Sequence, residues 1–269
     1  MTDVALGASS RASIQERRDA ELAWYEVRGD GWRVGFSTRL GGVSQGPHAT
    51  LNIGYSVADQ QRAVAENRRR FAAALGVEVR DLVVPGQVHG TTLASVGLAE
   101  RGRGAFGRET VVHDTDGLLT GAAGVPLMVT FADCVPVLIV ARGASGAARI
   151  ALVHAGWRGM LAGIVAKAVR ELTSSPARLE AAVVGPSIGP CSFSVGEDVG
   201  RRFEAAFPGS WQEGRVDLWR AAEQQLTAAG LAAREVVNPW LCTVCDQRFF
   251  SHRRDKGCTG RQAAIAWLE

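Results

Sequence analysis

The chain has 269 residues, enough for one large domain or two small ones and for a sizeable core. Hydrophobic residues make up 46% and charged residues 21%, ordinary globular values that exclude a disordered chain, a collagen-like fibre and a disulfide-rich mini-protein. The net charge is +3, but of 30 basic residues only Lys167 and Lys256 are lysines, and the arginines are spread along the chain, which argues against a nucleic-acid partner.

Residues 1–22 are polar, lack a stable period and lack the apolar core of a signal peptide, so they read as a mobile or frayed tail ahead of one domain over 23–269. Trp24–Val27 and Arg33–Ser37 alternate apolar with polar residues and read as strands, the second running into a loop from Thr38 to Pro47. Asp59 can cap a helix through Leu75 that puts Val64, Phe71 and Leu75 on one face and its arginines in water, with Gly76 as its stop. Leu82–Val84, Gly117–Thr120, Pro126–Thr130, Val135–Val140 and Ala148–Val153 are apolar runs of strand length. A helical stripe from Trp157 to Leu172 follows, then a strand at Ala181–Val184 and helices at Glu197–Phe207 and Asp217–Ala229. Strands at Glu235–Asn238 and Ala263–Leu268 complete a mixed α/β order without repeats or long linkers. The expected fold is a single α/β domain of layered mixed β-sheets flanked by helices.

The longest apolar stretch, Gly124–Ala141, approaches membrane length, yet Pro126, Asp133 and Pro136 interrupt it, so it reads as two buried strands with a functional break. Five cysteines and no secretory signal favour a reducing, cytoplasmic setting without a membrane partner.

Three segments place a metal-capable or nucleophilic side chain where a strand breaks: 86–90 with His89, 132–136 with Cys134, and 153–159 with His154. Loops at strand ends are where residues from distant parts of a sheet converge. Two imidazoles and a thiolate suit Zn²⁺ with a fourth position left open, as in a catalytic site; a core cysteine with two hydrogen-bonded histidines is the plainer alternative. His48 and His113 lie in polar loops and read as solvated. The segment His154–Gly159 also ends a strand and opens a helix, so its N–H groups, Gly156, Gly159 and Arg158 could hold phosphate, or the turn could simply be tight with Trp157 in the core. Downstream, Cys242, Cys245, His252 and Cys258 have the spacing of a small structural zinc site, although the intervening 248–251 reads as a strand. Arg253, Arg254 and Arg261 are either substrate-facing or a solvated surface.

Taken together, Ser37-Thr38-Arg39, Gly41–Ser44, Leu51–Gly54, Glu66-Asn67-Arg68, Gln87–Gly90, Asp116-Gly117, Ala132–Pro136, His154–Gly159, Gly185–Ile188, Cys242-Thr243, Phe249–Ser251 and Thr259–Arg261 resemble the YfiH-type family, formerly called laccase-domain or multicopper polyphenol oxidase proteins. The resemblance runs from about Arg33 to Leu268. It implies a fold compared with that of toxin-type cysteine hydrolases and zinc held by His89, Cys134 and His154. It also implies phosphorolysis of adenosine, inosine and methylthioadenosine, with deamination of adenosine, the small-molecule partners being nucleoside and phosphate. Under that reading Asp133 assists the ligands or moves a proton, and Arg39, Asn52, Gln87 and Arg158 contact phosphate and ribose. A monomer or homodimer is expected.

The older description as a copper-dependent polyphenol oxidase fits poorly, because a multicopper site needs many histidines and this chain has five. Two other classes remain: a cysteine hydrolase using Cys134 and His154, with the editing of cell-wall precursors as one role, and a non-catalytic interaction protein.

Overall fold

The computed structural model describes residues 13–174 and 176–269. Within the stretch read as a tail, residues 1–12 lie outside the described residues, but β1 (Ile14–Asp19) is a strand. It pairs antiparallel with β2 (Leu22–Gly29), and Arg248 reaches Glu16 across 3.1 Å, so backbone ladder and ion pair order a segment whose sequence carries no apolar period.

The remaining strands are β3 (Trp32–Ser37), β4 (Leu93–Ser95), β5 (Gly117–Thr120), β6 (Leu127–Phe131), β7 (Val135–Gly143), β8 (Ala148–Ala155), β9 (Ala177–Val184), β10 (Trp211–Gln212), β11 (Arg215–Val216), β12 (Val236–Val237) and β13 (Gln262–Leu268). A five-stranded antiparallel sheet has the order β1-β2-β3-β13-β6, and a six-stranded mixed sheet the order β12-β9-β7-β8-β5-β4, with β10 and β11 as a small ribbon. The helices are α1 (Gln61–Leu75), α2 (Trp157–Leu161), α3 (Ile164–Leu172), α4 (Glu197–Ala206) and α5 (Leu218–Ala228).

The period of two along β7 explains the layering. Leu138 and Val140 meet Phe36, Val129 and Ala264 of the other sheet, whereas Val137, Ile139 and Ala141 meet Ile164, Val165 and Leu226 of the helices. Full burial of each such aliphatic side chain contributes about 1.5–3 kcal/mol. On the far side of the five-stranded sheet, Phe71 and Leu75 of α1 cover Met128, Ile265 and Trp267. The result is four layers, helix, sheet, sheet, helices, as the expected α/β class requires. Among the described residues no helix is long and apolar enough to cross a membrane.

Several local expectations change. The helix expected over Trp157–Leu172 is two helices, because Gly163 adopts φ 78° between them; Gln225 of α5 fills the break, donating to the Met160 carbonyl and accepting from the Ala166 N–H. Asp59 lies ahead of the α1 cap, Gln60, and accepts instead from Ser44 and Asn52. Gly76 does end α1 in the left-handed conformation. Arg68 does not face water: 3% exposed, it donates to the carbonyls of Ile53, Gly104 and Ala105 and stacks on Tyr55. Leu82–Val84 contributes only an isolated bridge between Val83 and Leu127, and 248–251 is a turn whose Phe249 and Phe250 plug the core.

Candidate active site

The fold brings the three segments together, although only those of Cys134 and His154 stand at strand ends, the 86–90 segment following no more than the isolated bridges of Val83 and Pro85. Cys134 sits between β6 and β7, and His154 near the end of β8, where its backbone pairs with Pro136. One ligand atom from each of His89, Cys134 and His154 lies within 4.8 Å of the others, and the two imidazoles meet edge to face with centroids 4.9 Å apart. His154 is buried, Cys134 half-buried and His89 exposed.

Asp116 builds this cluster, a role that its place in the Asp116-Gly117 block does not reveal, because its partners lie far away in the sequence. It is fully buried just ahead of β5. One carboxylate oxygen lies 3.0 Å from His154 Nδ1, leaving Nε2 as that ring's free nitrogen. The same carboxylate accepts the backbone N–H groups of Val88, His89 and Gly90 at 3.2, 2.9 and 2.7 Å. The loop thus wraps around a single charge, which holds His89 in its left-handed conformation, φ 62°. Burial pushes the Asp116 carboxyl up, but His154 and the loop N–H groups hold it below its ordinary value.

Burial likewise opposes ionisation of Cys134, but the adjoining His154 and His89 rings outweigh it and hold the thiol well below its usual range. His154 moves the other way: burial lowers it, while the Cys134 thiolate and Asp116 carboxylate raise it. An N₂S donor set of one thiolate and two imidazoles, one of them oriented by a carboxylate, fits a borderline-soft divalent cation.

The glycines in this region are required by packing. A Cβ on Gly156 would stand 2.8 Å from the His89 ring and 3.3 Å from Cys134 Sγ, and one on Gly159 would stand 2.7 Å from the Gly90 carbonyl. Helix α2 is a single short turn, so it offers no sizeable dipole to phosphate.

The cluster opens into a cavity of about 1000 Å³. Phe131, Trp157, Phe193 and Leu218 give it apolar wall, and Arg158, Arg253 and Arg261 bring guanidiniums to it. Arg158 stacks on Trp157, Arg253 lies over Phe193 and donates to the carbonyls of Ser192 and Ser194, and Arg261 is held through the Thr259 and Gly260 carbonyls. His113 and His252 also line this cavity.

Other expected contacts are placed differently. Asn52 is fully buried outside the cavity lining, bonded to Gly54, Asp59 and the Arg261 N–H. Arg39 also lies outside it, donating to the Ala49 carbonyl and stacking on Phe250. Both belong to a loop over 38–54 that Asn67 clamps through Val43, Ser44, Thr50 and Asn52. Gln87 does line the cavity, but its amide is paired with the backbone of Thr130 and braces β6. Asp133, in a left-handed turn at φ 84°, accepts from Thr243 Oγ1, Ser251 Oγ and the Arg253 N–H at 2.6, 3.1 and 2.6 Å. Its carboxylate therefore fastens the 243–253 segment, and with it Arg253, to the Cys134 turn. Arg254 points into that segment, bonding the Thr243, Val244 and Phe249 carbonyls.

A family model described as multi-copper polyphenol oxidoreductase laccase matches residues 33–269. The chain is 40% identical over 247 residues to the purine nucleoside phosphorylase YlmD of Geobacillus stearothermophilus, covering 86% of this chain and 88% of that protein. A purine nucleoside phosphorylase of Corynebacterium glutamicum is 38% identical over 239 residues, covering 87% and 93%. The crystal structure of YlmD from Geobacillus stearothermophilus superposes with a TM-score of 0.84 at 35% identity, over 94% of this chain and 98% of that one. That of the Bacillus licheniformis hypothetical protein YfiH gives 0.82 at 32%, over 94% and 99%.

Proposed function

For a chain that belongs to the multi-copper polyphenol oxidoreductase laccase family, we propose the activity of a zinc-dependent purine nucleoside phosphorylase acting on adenosine, inosine and methylthioadenosine, with adenosine deamination in the same cavity. The observation that carries this reading is the presence, in one cavity of about 1000 Å³, of the His89–Cys134–His154 cluster, an apolar wall and several arginines, Arg158, Arg253 and Arg261 among them. Names of relatives support a nucleoside phosphorylase-type enzyme. Zinc is the cation best matched to the donor set, held by His89, Cys134 and His154, and when bound it supplies Lewis acidity at the cavity wall.

Phosphorolysis forms a bond from a phosphate oxygen to the sugar C1′ and breaks the bond from C1′ to the purine nitrogen, with the electron pair leaving on the base. The chain must hold an anion against a neutral, flat nucleoside. Arg158, Arg253 and Arg261 bind the phosphate, since guanidiniums match its oxygens in charge and geometry. Trp157, Phe131 and Phe193 exclude water around the base. Asp116 fixes the His154 tautomer, and Asp133 positions the segment bearing Arg253. The test follows adenosine and inosine by chromatography with and without phosphate, using metal-quantified protein and Cys134→Ala. Phosphate-dependent release of adenine and hypoxanthine, absent in the variant, is expected; inosine formed from adenosine without phosphate reports the deaminase. Intact nucleosides under all conditions would overturn the reading.

A second reading is favoured by one alignment: Cys134, His154 and Asp116 have the order of nucleophile, base and orienting acid in a cysteine hydrolase acting on an amide. Full activity on an amide substrate in chelator, lost on alkylation of Cys134, would select it.

A further inference from the structure

Among the described residues, a second trio of metal-capable side chains converges: the Sγ atoms of Cys191, Cys242 and Cys245 lie within 4.8 Å of one another. It is not the set expected from spacing, because His252 and Cys258 stay outside and Cys191 arrives from a different loop. We infer that Cys191, Cys242 and Cys245 form a second, structural metal centre that takes a thiophilic d¹⁰ cation, zinc(II), as a three-thiolate site.

The site is built rather than incidental. Two loops form it, and their backbones are laced together: Ser187 N–H donates to the Leu241 carbonyl and Thr243 N–H to the Ser187 carbonyl, at 3.1 and 3.0 Å. The Cys-x₂-Cys turn closes with the Asp246 N–H on the Cys242 carbonyl. Cys242, which is buried, receives the Gly189 N–H on its sulfur at 3.3 Å, the kind of contact that favours a thiolate ligand. Ser192 Oγ lies 3.5 Å from the sulfurs of Cys191 and Cys245 and 3.8 Å from that of Cys242, so an oxygen already faces all three sulfurs. Zinc–sulfur bonds of about 2.3 Å separate tetrahedral thiolates by just under 4 Å, which small side-chain rotations provide here. Cys191 and Cys245 are 3.3 Å apart, but a disulfide between them would use two thiols and leave Cys242 out, whereas a cation uses all three.

This centre lies at a shallow, open surface depression that shares no lining residue with the active-site cavity. It is nevertheless mechanically connected to it. Thr243, next to Cys242, donates to Asp133, next to Cys134, and Ile188 N–H donates to the Asp133 carbonyl. A cation at the three thiolates pins the two loops that hold Asp133 and, through it, Arg253.

The test counts zinc in protein purified under reductant. A variant lacking the first cluster, His89→Ala with Cys134→Ala, is expected to retain roughly one zinc per chain, and adding Cys245→Ser to remove it. Cobalt loaded into the same variant should show thiolate charge-transfer absorption that Cys191→Ser abolishes. In the intact first-cluster background, exposed Cys191→Ser should lower zinc by roughly one per chain and reduce the zinc-dependent rise in Tm to the part that the first cluster supplies. This last comparison stands if the double variant fails to fold. Zinc content and Tm unchanged by both Cys191→Ser and Cys245→Ser, or a Cys191–Cys245 disulfide in metal-free protein under reductant, would overturn the centre.

Discussion

The two sulfur-bearing clusters differ in what surrounds them, and the difference separates a place for chemistry from a place for support. His89 comes from the loop ahead of β4, Cys134 from the turn between β6 and β7 and His154 from the end of β8; they mix nitrogen with sulfur, and are organised by one buried carboxylate at the wall of a large cavity. Cys191, Cys242 and Cys245 come from loops, offer sulfur alone, and are organised by backbone N–H and hydroxyl groups without a carboxylate. A carboxylate behind a histidine sets a tautomer and a basicity, which matters where a reaction is to occur. N–H groups behind thiolates only stabilise charge, which suffices to hold a loop.

Removal of the central ligand should have the largest effect. Cys134→Ala is expected to take purine release down to background and to lose the metal of that cluster, while Cys191→Ser keeps turnover at saturating phosphate and raises the phosphate KM through the loosened Arg253 segment; chromatography and metal analysis of both proteins read this out. Comparable losses in the two variants would erase the distinction. Next, Asp116→Asn should weaken metal binding about 10- to 100-fold, because the amide no longer holds His154 and the loop N–H groups with a full charge. Competition with a chromophoric chelator measures it, and an unchanged affinity would remove Asp116 from the account.

Gly156→Ala should cost about 1–3 kcal/mol of stability and displace His89, since the new methyl falls 2.8 Å from that ring. Denaturant unfolding alongside metal titration tests both parts, and Gly97→Ala, in extended backbone where the new methyl meets nothing nearer than 3.8 Å, controls for handling. Arg158→Ala, at an exposed position, should raise the phosphate KM roughly tenfold with little change in stability, in keeping with one charged hydrogen bond. A phosphate titration that superposes on the parent would exclude it from the anion site.

The thiols themselves sharpen the comparison by pH. Burial raises Cys134 but its imidazole neighbours lower it further, so its thiolate persists as pH falls beneath the ordinary thiol range. Burial pushes Cys191 up to about 11. In metal-free protein at neutral pH, iodoacetamide should therefore label Cys134 ahead of Cys191, although Cys191 is the more exposed. Peptide mass spectrometry at short times gives the order, and labelling that follows exposure alone would contradict these opposite shifts.

Much of the fold was legible because its signals are local. The alternation along 135–140, the apolar stripe of α3 and Gly76 after α1 each act over a few residues. Misreadings occurred where a distant partner overrode the local pattern. Arg68 looked like a water-facing helical arginine, yet three carbonyls from Ile53, Gly104 and Ala105 draw it inside. Asn52 looked like a substrate contact, yet it bonds the Arg261 N–H more than two hundred residues away and stabilises a loop. The apolar stripe over 157–172 divides at Gly163 because Gln225 satisfies the freed groups.

By itself, the sequence determined the kinds of donor available and the strand breaks at which two of them stand: a cysteine and a histidine at such breaks, a further histidine in a loop, and a Cys-x₂-Cys turn near the end. Only the tertiary structure decided which donors meet. Spacing along the chain carries no information about proximity once strands pair across a sheet, so Asp116 came to underlie both His89 and His154 through β5 and β8, and Cys191 replaced His252 and Cys258 beside Cys242 and Cys245.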